Sequence, residues 1–488
     1  FGPGRRPLWL GAAAGVVLAA LVLTKVNLGA YAIAAVALAA VLTVEPLRRR
    51  RWLCWPVVAA AIVLPLFVVG RDLSVGWVRE VAGVELLAMT ALVIAAWPLG
   101  GERGERDRNT ERWLLGAMVG FAVAFVAILV GIVLHGSSLS DVYAGVVTEA
   151  LRVRDVVLSQ FPMSPAVVDW GVAAVAGAAL SVLLRSPDGS PPSVWPGLLR
   201  GAAGLAIWLT VARITPVSLG PSVGNQDSLP MVLAWVAAIP PAGARETQQM
   251  RFLRVFLPAL GVAEALQVYP VAGSQVGIAS LTFVPVGGLC LADALTSLRA
   301  WSEARGRLAL ERFGIVMTVA LAALAADLAI NAILRPAATN LSIYNERQGL
   351  PFAGATQLHV QQSDYENYTR LVADLHRYRC SDFIGYPNVN SLYLWSGIEP
   401  PPPDAPGAWI EALDDERQQH IVNELRASPR PCAIRNDELA GAWLGGDPVP
   451  IEKPLVGYVL NDFRPVDEIG PFQFMLPAEG RSGSRRSG

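Results

Sequence analysis

The stretch WLLGAMVGFAVAFVAILVGIVL, residues 113–134, runs for twenty-two residues without an ionisable side chain. At about 1.5 Å of helical rise per residue, it spans the roughly 30 Å of hydrocarbon in a bilayer. Similar apolar runs lie on either side of it: 8–24, 28–45, 52–70, 81–98, 167–185, 197–216, 229–243, 252–267, 276–297 and 313–334. The eighth and ninth runs along the chain are short and flanked by proline. Beyond Leu334 the composition turns ordinary. The sequence therefore predicts a polytopic α-helical membrane protein, with about 11 transmembrane helices over 1–334. A soluble α/β domain is expected over 335–479, and a disordered tail over 480–488.

Composition agrees. Of 488 residues 53% are hydrophobic and 16% charged, against about 25% charged in soluble chains. A net charge of −1 argues against a nucleic-acid partner. The four cysteines show no metal-ligand spacing, and nothing resembles a phosphate-binding glycine loop, a zinc motif or a serine nucleophile elbow. No metal and no cofactor are expected. The first residue is Phe1 and no signal peptide precedes the first apolar run, so the chain reads as a piece of something longer.

Arginines orient the helices. Arg48 to Arg51, Arg103 to Arg112, Arg185 and Arg200, Arg245 and Arg251, and Arg299 to Arg312 fall in alternate loops, which the positive-inside rule assigns to the cytoplasm. Trp9, Trp52, Trp97, Trp113 and Trp195 lie near the same helix ends, as an interfacial aromatic belt would. Loops 71–80, 135–166, 217–228 and 268–275 then face outward, as does everything after Leu334. A cell-membrane location with an extracytoplasmic C-terminal domain follows. Within 135–166 a helical stretch near Asp141–Val157 reads either as an interfacial helix or as a plain connector. Gly11-x-x-x-Gly15 and Gly116-x-x-x-Gly120 read as helix-packing faces.

In the soluble region Asp382–Tyr386 and Cys432–Arg435 read as strands. Asp414–Ala427 is a helix between them, which implies a crossover and a parallel or mixed sheet. Ser363–Arg379 reads as a helix opened by a capping box of Ser363 and Glu366. Cys380 precedes one strand and Cys432 begins another. In an oxidising compartment a disulfide between them is expected, with two free buried thiols as the alternative.

Ionisable side chains inside a membrane need a partner or an aqueous cavity. Lys25, Glu85, Arg213, Glu264 and Asp327 all map toward the outward ends of their helices, and Asp293 alone toward the other side. Each taken singly reads more readily as structural; together they point to an outward polar cavity. The turn Gln267-Val268-Tyr269-Pro270-Val271-Ala272-Gly273-Ser274-Gln275 adds amides and a phenol at that level, groups suited to a sugar or a phosphate. A tight turn using Pro and Gly for its geometry is the simpler reading.

Several of these stretches share a pattern. Leu23-Thr24-Lys25 with Asn27 and Gly29 resembles the lysine–glycine hairpin of polyprenyl-phosphate-dependent glycosyltransferases of the GT-C fold, the bacterial mannosyl- and arabinosyltransferase-like membrane family. Tyr269–Gln275 is similar to an outward loop of bacterial members. Pro387-Asn388-Val389-Asn390-Ser391-Leu392-Tyr393-Leu394-Trp395-Ser396-Gly397 resembles a soluble-domain segment of the family. The resemblance implies transfer of a sugar from a polyprenyl-phosphate donor to a glycan, lipid or protein acceptor on the outer face of the membrane. Lys25 and Arg213 are the candidates for the carrier phosphate. Glu264, Gln267, Tyr269 and Gln275 complete the substrate-binding set. The family's general base is an aspartate upstream of the lysine hairpin, and here that hairpin is the first one. The resemblance therefore assigns no catalytic base in this chain, and the fragment alone is expected to be inactive. The competing readings are a transporter or flippase of lipid-linked substrates, and a membrane-anchored binding protein without enzymatic activity.

Overall fold

The computed structural model describes residues 6–100, 108–148, 166–184, 194–213, 223–241, 246–269, 275–303, 334–387, 389–401, 413–444 and 448–478, with isolated positions over 319–330. A few side chains in those ranges, Arg213 among them, lie outside the description. The chain divides into compact units, one formed by the helices up to Ile333 and another that includes Leu334–Gly488.

Among the described residues, seven helices are long and apolar enough to cross a membrane: Arg6–Thr24, Val26–Thr43, Arg51–Asp72, Gly76–Leu99, Asn109–Leu134, Ala166–Leu183 and Phe283–Glu303. The protein is a multi-pass membrane protein. The outer surfaces are apolar, as lipid contact requires: Val123, Val126 and Leu134 are exposed on one helix, and Trp52 and Trp195 on others.

The first helix, Arg6–Thr24, packs against Arg108–Leu134 through both glycine pairs. A Cβ on Gly11 would collide with the carbonyl oxygen of Trp113, and one on Gly15 with that of Ala117. Reciprocally, Gly116 faces the carbonyl of Leu8 and Gly120 that of Ala12. Lipid tails are as apolar as leucine, so such backbone approach is what drives helix association in a bilayer.

Two expected spans are broken. Residues 229–243 are not one crossing helix. The α-helix Val223–Leu233 carries Pro230 and gives way to a 3-10 turn at Ala234–Ala238. Eleven residues reach about 16 Å, half of the hydrocarbon thickness. The span 276–297 is likewise two pieces, Gln275–Ser280 and Phe283–Glu303, separated at Leu281 and Thr282. The span 313–334 falls almost wholly outside the described residues. In the stretch 141–157 the described part is a helix, Leu139–Tyr143, capped by Ser138 and widening into a π-turn over Ala144–Thr148.

The C-terminal unit holds a two-stranded ladder, β1 (Gln348–Gly349) with β2 (His359–Val360), and a four-stranded sheet, β3 (Asp382–Tyr386), β4 (Pro431–Arg435), β5 (Phe463–Ile469) and β6 (Phe472–Pro477), in the order β3-β4-β6-β5. β3 and β4 are parallel and the other pairs antiparallel. Side chains alternate across the sheet. Phe383, Ile434 and Phe474 meet Leu371 and Leu375 of the helix Gln362–Arg377 in one apolar cluster. Ile384, Ala433 and Met475 meet Ile421 and Leu425 of the helix Asp415–Ala427 in the other. Apolar residues on both faces of the sheet thus have a helix to cover them.

Cys380 and Cys432 are joined by a disulfide with Cα atoms 5.8 Å apart. Closing a loop of 52 residues stabilises the fold by about 4 kcal/mol on the chain-entropy model. The expected capping box is absent. The helix starts one residue early, at Gln362, so Ser363 sits inside its first turn and no side chain caps it. Glu366 instead accepts from Gln362 Nε2 at 2.7 Å. The helix Asp415–Ala427 is capped as its sequence implies, with Asp414 accepting from the Arg417 amide at 2.9 Å.

Candidate functional site

The helices Gly76–Ala96 and Gln248–Ala265 run in opposite directions between two polar ends. At one end Asp72 accepts a hydrogen bond from the Tyr269 hydroxyl, and at the other Arg251 Nη1 donates to the Leu99 carbonyl at 3.1 Å. A helix of 21 residues separates those ends by about 30 Å.

The Asp72 end collects most of the residues singled out in the sequence. Lys25 interrupts the hairpin between Arg6–Thr24 and Val26–Thr43, and its ammonium donates to Gln275 Oε1 at 2.8 Å. The side chain is half-buried. Among the described residues no carboxylate pairs with it, so the Lys25 charge is oriented by a neutral amide and not neutralised. Tyr269 is buried, and its ring lies 6.4 Å from that of Trp77. Gln267 is 3% exposed, and neither end of its amide has a hydrogen-bond partner among the described residues. The buried indole nitrogen of Trp77 is in the same state. Unsatisfied buried polar groups are costly and rare, so both call for an explanation.

Glu264 is half-buried and accepts from the Thr282 hydroxyl, across the break between Gln275–Ser280 and Phe283–Glu303. It ties two segments together, which is a structural use of the carboxylate. Arg213 ends the helix Trp195–Arg213, but its side chain lies outside the described residues. Asp327 lies outside them altogether, as do Pro270 to Ser274. The structure thus brings Lys25 to Gln275 and Tyr269 to Asp72. The single segment Gln267–Gln275 supplies a partner to both.

Glu85 departs from its expected depth. The helix begins at Gly76 and not at 81, so Glu85 is its tenth residue, close to mid-membrane, and is 1% exposed.

The other end was missed. Arg254 is 2% exposed and donates from Nη2 to Asp293 at 2.9 Å, from Nη1 to the second oxygen of the same carboxylate, and from Nε to Glu246 at 2.6 Å. Arg200 donates to Ser297 Oγ at 3.0 Å and to the carbonyls of Ile239 and Pro240. Arg254 also reaches the Ala237 carbonyl at 3.0 Å. These carbonyls close the broken segment Ala234–Ala238, where the helix ladder no longer satisfies them; within a membrane each needs another donor. Arg200 and Arg251 were assigned to loops, but both are buried helical residues. The available signal was Asp293, a membrane acid that had to have a cation at its own depth. Arg254, inside the expected span 252–267, was the one to find.

In the segment Pro387–Gly397, the described residues from Val389 on form a packed corner. Its helix Ser391–Ser396 ends at Gly397 in the left-handed region, φ 69°, where glycine carries no steric penalty. Tyr393 donates to the Phe383 carbonyl at 2.8 Å, and Trp395 stacks on Phe352 at 5.3 Å. Among the described residues no group of His, Cys, Asp and Glu is arranged to hold a metal. Comparison with protein-family models, with curated proteins and with solved structures finds no match.

Proposed function

We propose that the helical unit binds an isoprenoid-phosphate carrier at the Lys25 end, as the carrier-binding part of an enzyme that transfers the sugar to an acceptor. The resemblance to GT-C glycosyltransferases implies that activity and leaves its general base outside this chain, so any transfer by this chain itself would have to use an acid of its own. The observation that carries the reading is the state of Lys25: a half-buried ammonium held in place by the neutral Gln275. A carboxylate partner would cancel the charge, whereas an amide leaves it for an anion such as a phosphate. A fixed cation is also what a departing phosphate needs as its charge develops. In this reading Tyr269 and Gln267 supply hydrogen bonds to the substrate, and Asp72 is the acid that the geometry offers for trial as a general base. In this reading the Lys25 end faces outward across the cell membrane, following the arginines that remain at helix ends, Arg48 to Arg51 among them.

The test uses the full chain in lipid nanodiscs, with a radiolabelled polyprenyl-phosphate sugar and a panel of acceptor glycans. Sugar transfer that falls 10²–10⁴-fold in Asp72→Asn supports the assignment of a base. Transfer that is undiminished in both Asp72→Asn and Lys25→Ala refutes the site. Orientation is checked in cells: cysteines introduced at Gly220 react with an impermeant thiol reagent and one at Asn109 does not.

A transport reading has its own observation. Two segments, Val223–Ala238 and Gln275–Glu303, are discontinuous helices, the kind of element from which transporters build substrate sites. Movement of the intact lipid-linked sugar between leaflets, without any transfer, would select it.

A further inference from the structure

Glu85 takes no part in the site at the Lys25 end. It is the tenth residue of Gly76–Ala96, flanked by buried Ala82, Val84, Ala88 and Met89. Its side chain is 1% exposed, and neither carboxylate oxygen has a hydrogen-bond partner among the described residues. Among the described residues, the titratable group within electrostatic reach is the Tyr31 phenol of the helix Val26–Thr43, itself 2% exposed. Charged and titratable groups described on the neighbouring helices are engaged elsewhere. Arg254 is held by Asp293, Arg251 by the Leu99 carbonyl, Glu264 by Thr282 and Cys54 by the Val41 carbonyl, while Asp169 is exposed.

An isolated ionised carboxylate cannot persist in such surroundings, because nothing replaces its lost hydration; it binds a cation or neutralises. A metal ion is the poorer fit. Even a magnesium ion demands about six oxygen ligands, and a single carboxylate beside one phenol offers three. The remaining occupant is a proton.

We infer that Glu85 is a proton-binding site in the interior of the helical unit, within electrostatic reach of the Tyr31 phenol. The chemistry is a single equilibrium, carboxylate plus a proton from water giving the neutral acid. The neutral acid has one donor and one acceptor to offer in place of a full charge. Ionisable groups at this depth are expensive, and those that persist commonly mark ion or proton pathways. The inference does not depend on the carrier site: Glu85 holds its proton whether the protein transfers sugars or moves them.

The experiment is infrared spectroscopy of the full chain in lipid nanodiscs at neutral pH, comparing the parent with Glu85→Gln. The expected result is a protonated-carboxyl carbonyl band in the parent that is missing from the variant. The band moves in heavy water as the proton exchanges, and moves without vanishing in Tyr31→Phe. Labelling the parent alone supplies a second reading that needs no variant: dicyclohexylcarbodiimide, a hydrophobic reagent for protonated carboxyls, should modify the peptide containing Glu85, and a water-soluble carbodiimide should not. Identical protonated-carboxyl spectra in the parent and Glu85→Gln would overturn the proposal. So would preferential modification of Glu85 by the water-soluble reagent, which would place the group in contact with bulk water.

Discussion

The two polar ends of the helical unit use charge in opposite ways. At one, Arg254 is buried between two carboxylates and Arg200 is spent on carbonyl oxygens, so every charge has a fixed protein partner. At the other, Lys25 is half-exposed against a neutral amide, Asp72 holds a phenol, and the Gln267 amide is buried without a partner. The first arrangement has the economy of a structural joint, pinning a broken helix to its neighbours. The second holds an ammonium against a neutral amide, and a charge without a counter-charge is what an anionic ligand would complete. The contrast makes the Lys25 end the candidate site, although the Arg254 end carries more charge.

The largest expected effect tests the joint. Arg254→Met strands Asp293 in the interior and should lower stability by about 3–5 kcal/mol, whereas Asp293→Leu leaves Arg254 its bond to Glu246 and should cost less. The double variant Arg254→Met/Asp293→Leu should recover much of that loss, because no uncompensated charge remains on that pair. Thermal unfolding of the purified protein in detergent measures all three. Additive losses in the double variant would mean that the two residues act independently, and the account of this end as a joint would fail.

Next comes the opposite behaviour at the other end. Lys25→Ala removes little packing and one hydrogen bond to a neutral group, so stability should change by about 1 kcal/mol or less. Affinity for an isoprenoid phosphate should fall about 10–100-fold, the usual value of a charged hydrogen bond in a binding site. Scintillation proximity binding of a labelled carrier measures this. A stability loss comparable to that of Arg254→Met, with affinity unchanged, would make Lys25 a second joint and erase the contrast.

This contrast was only partly legible in the sequence. The long apolar spans were, because twenty uncharged residues have few alternatives to a membrane helix. The strands Asp382–Tyr386 and Pro431–Arg435 and the helix between them were legible too, since the period of their apolar residues is local information. The breaks at Ala234 and Leu281 were not. Pro230 tolerates a helix or ends it according to what its neighbours can donate, and here Arg200 and Arg254, distant in sequence, donate to the carbonyls beyond it. The same arginines were read as loop charges because the positive-inside rule counts residues near helix ends without asking whether they point inward. Ser363 failed for a smaller reason: a helix beginning one residue early moves a capping residue into the first turn. At the Lys25 end the partners Gln275 and Asp72 lie far from Lys25 and Tyr269 in sequence, and no spacing rule pairs them.

A smaller effect is expected from Tyr269→Phe. It deletes the hydrogen bond to Asp72, which is half-buried and can be rehydrated, so the cost should be about 1 kcal/mol. The Arg254 end has no such escape, and the difference between the two losses measures how much water reaches each end. Equal losses would show that Asp72 is as sealed as Asp293. The same detergent unfolding experiment decides.

The smallest effect sets a closely paired carboxyl against a buried one, Asp374, whose Arg377 partner stands 3.9 Å away, in the C-terminal unit. Asp467 on β5 receives both carboxylate bonds of Arg370, at 2.7 and 2.6 Å, and that pairing holds its carboxyl below the usual range. Asp374, on the helix Gln362–Arg377, is buried; burial first, and then the adjacent Asp467 charge, push its carboxyl up. The signs then oppose each other. As pH falls from neutrality through the raised range of Asp374, the folded state takes up a proton before the unfolded chain does, so stability rises. At lower pH the unfolded chain protonates Asp467 first, and the stability from its pairing is lost as pH drops toward the depressed folded value. Stability of this unit should therefore pass through a maximum on the acid side of neutrality. Asp374→Asn should abolish the rise and keep the fall, whereas Asp467→Asn should remove the fall. Hydrogen exchange of peptides spanning Phe463–Pro477 in the full chain, corrected for the intrinsic pH dependence of exchange, reads this directly. A monotonic decline from neutrality in the parent, unchanged in Asp374→Asn, would show that the buried carboxyl is hydrated after all.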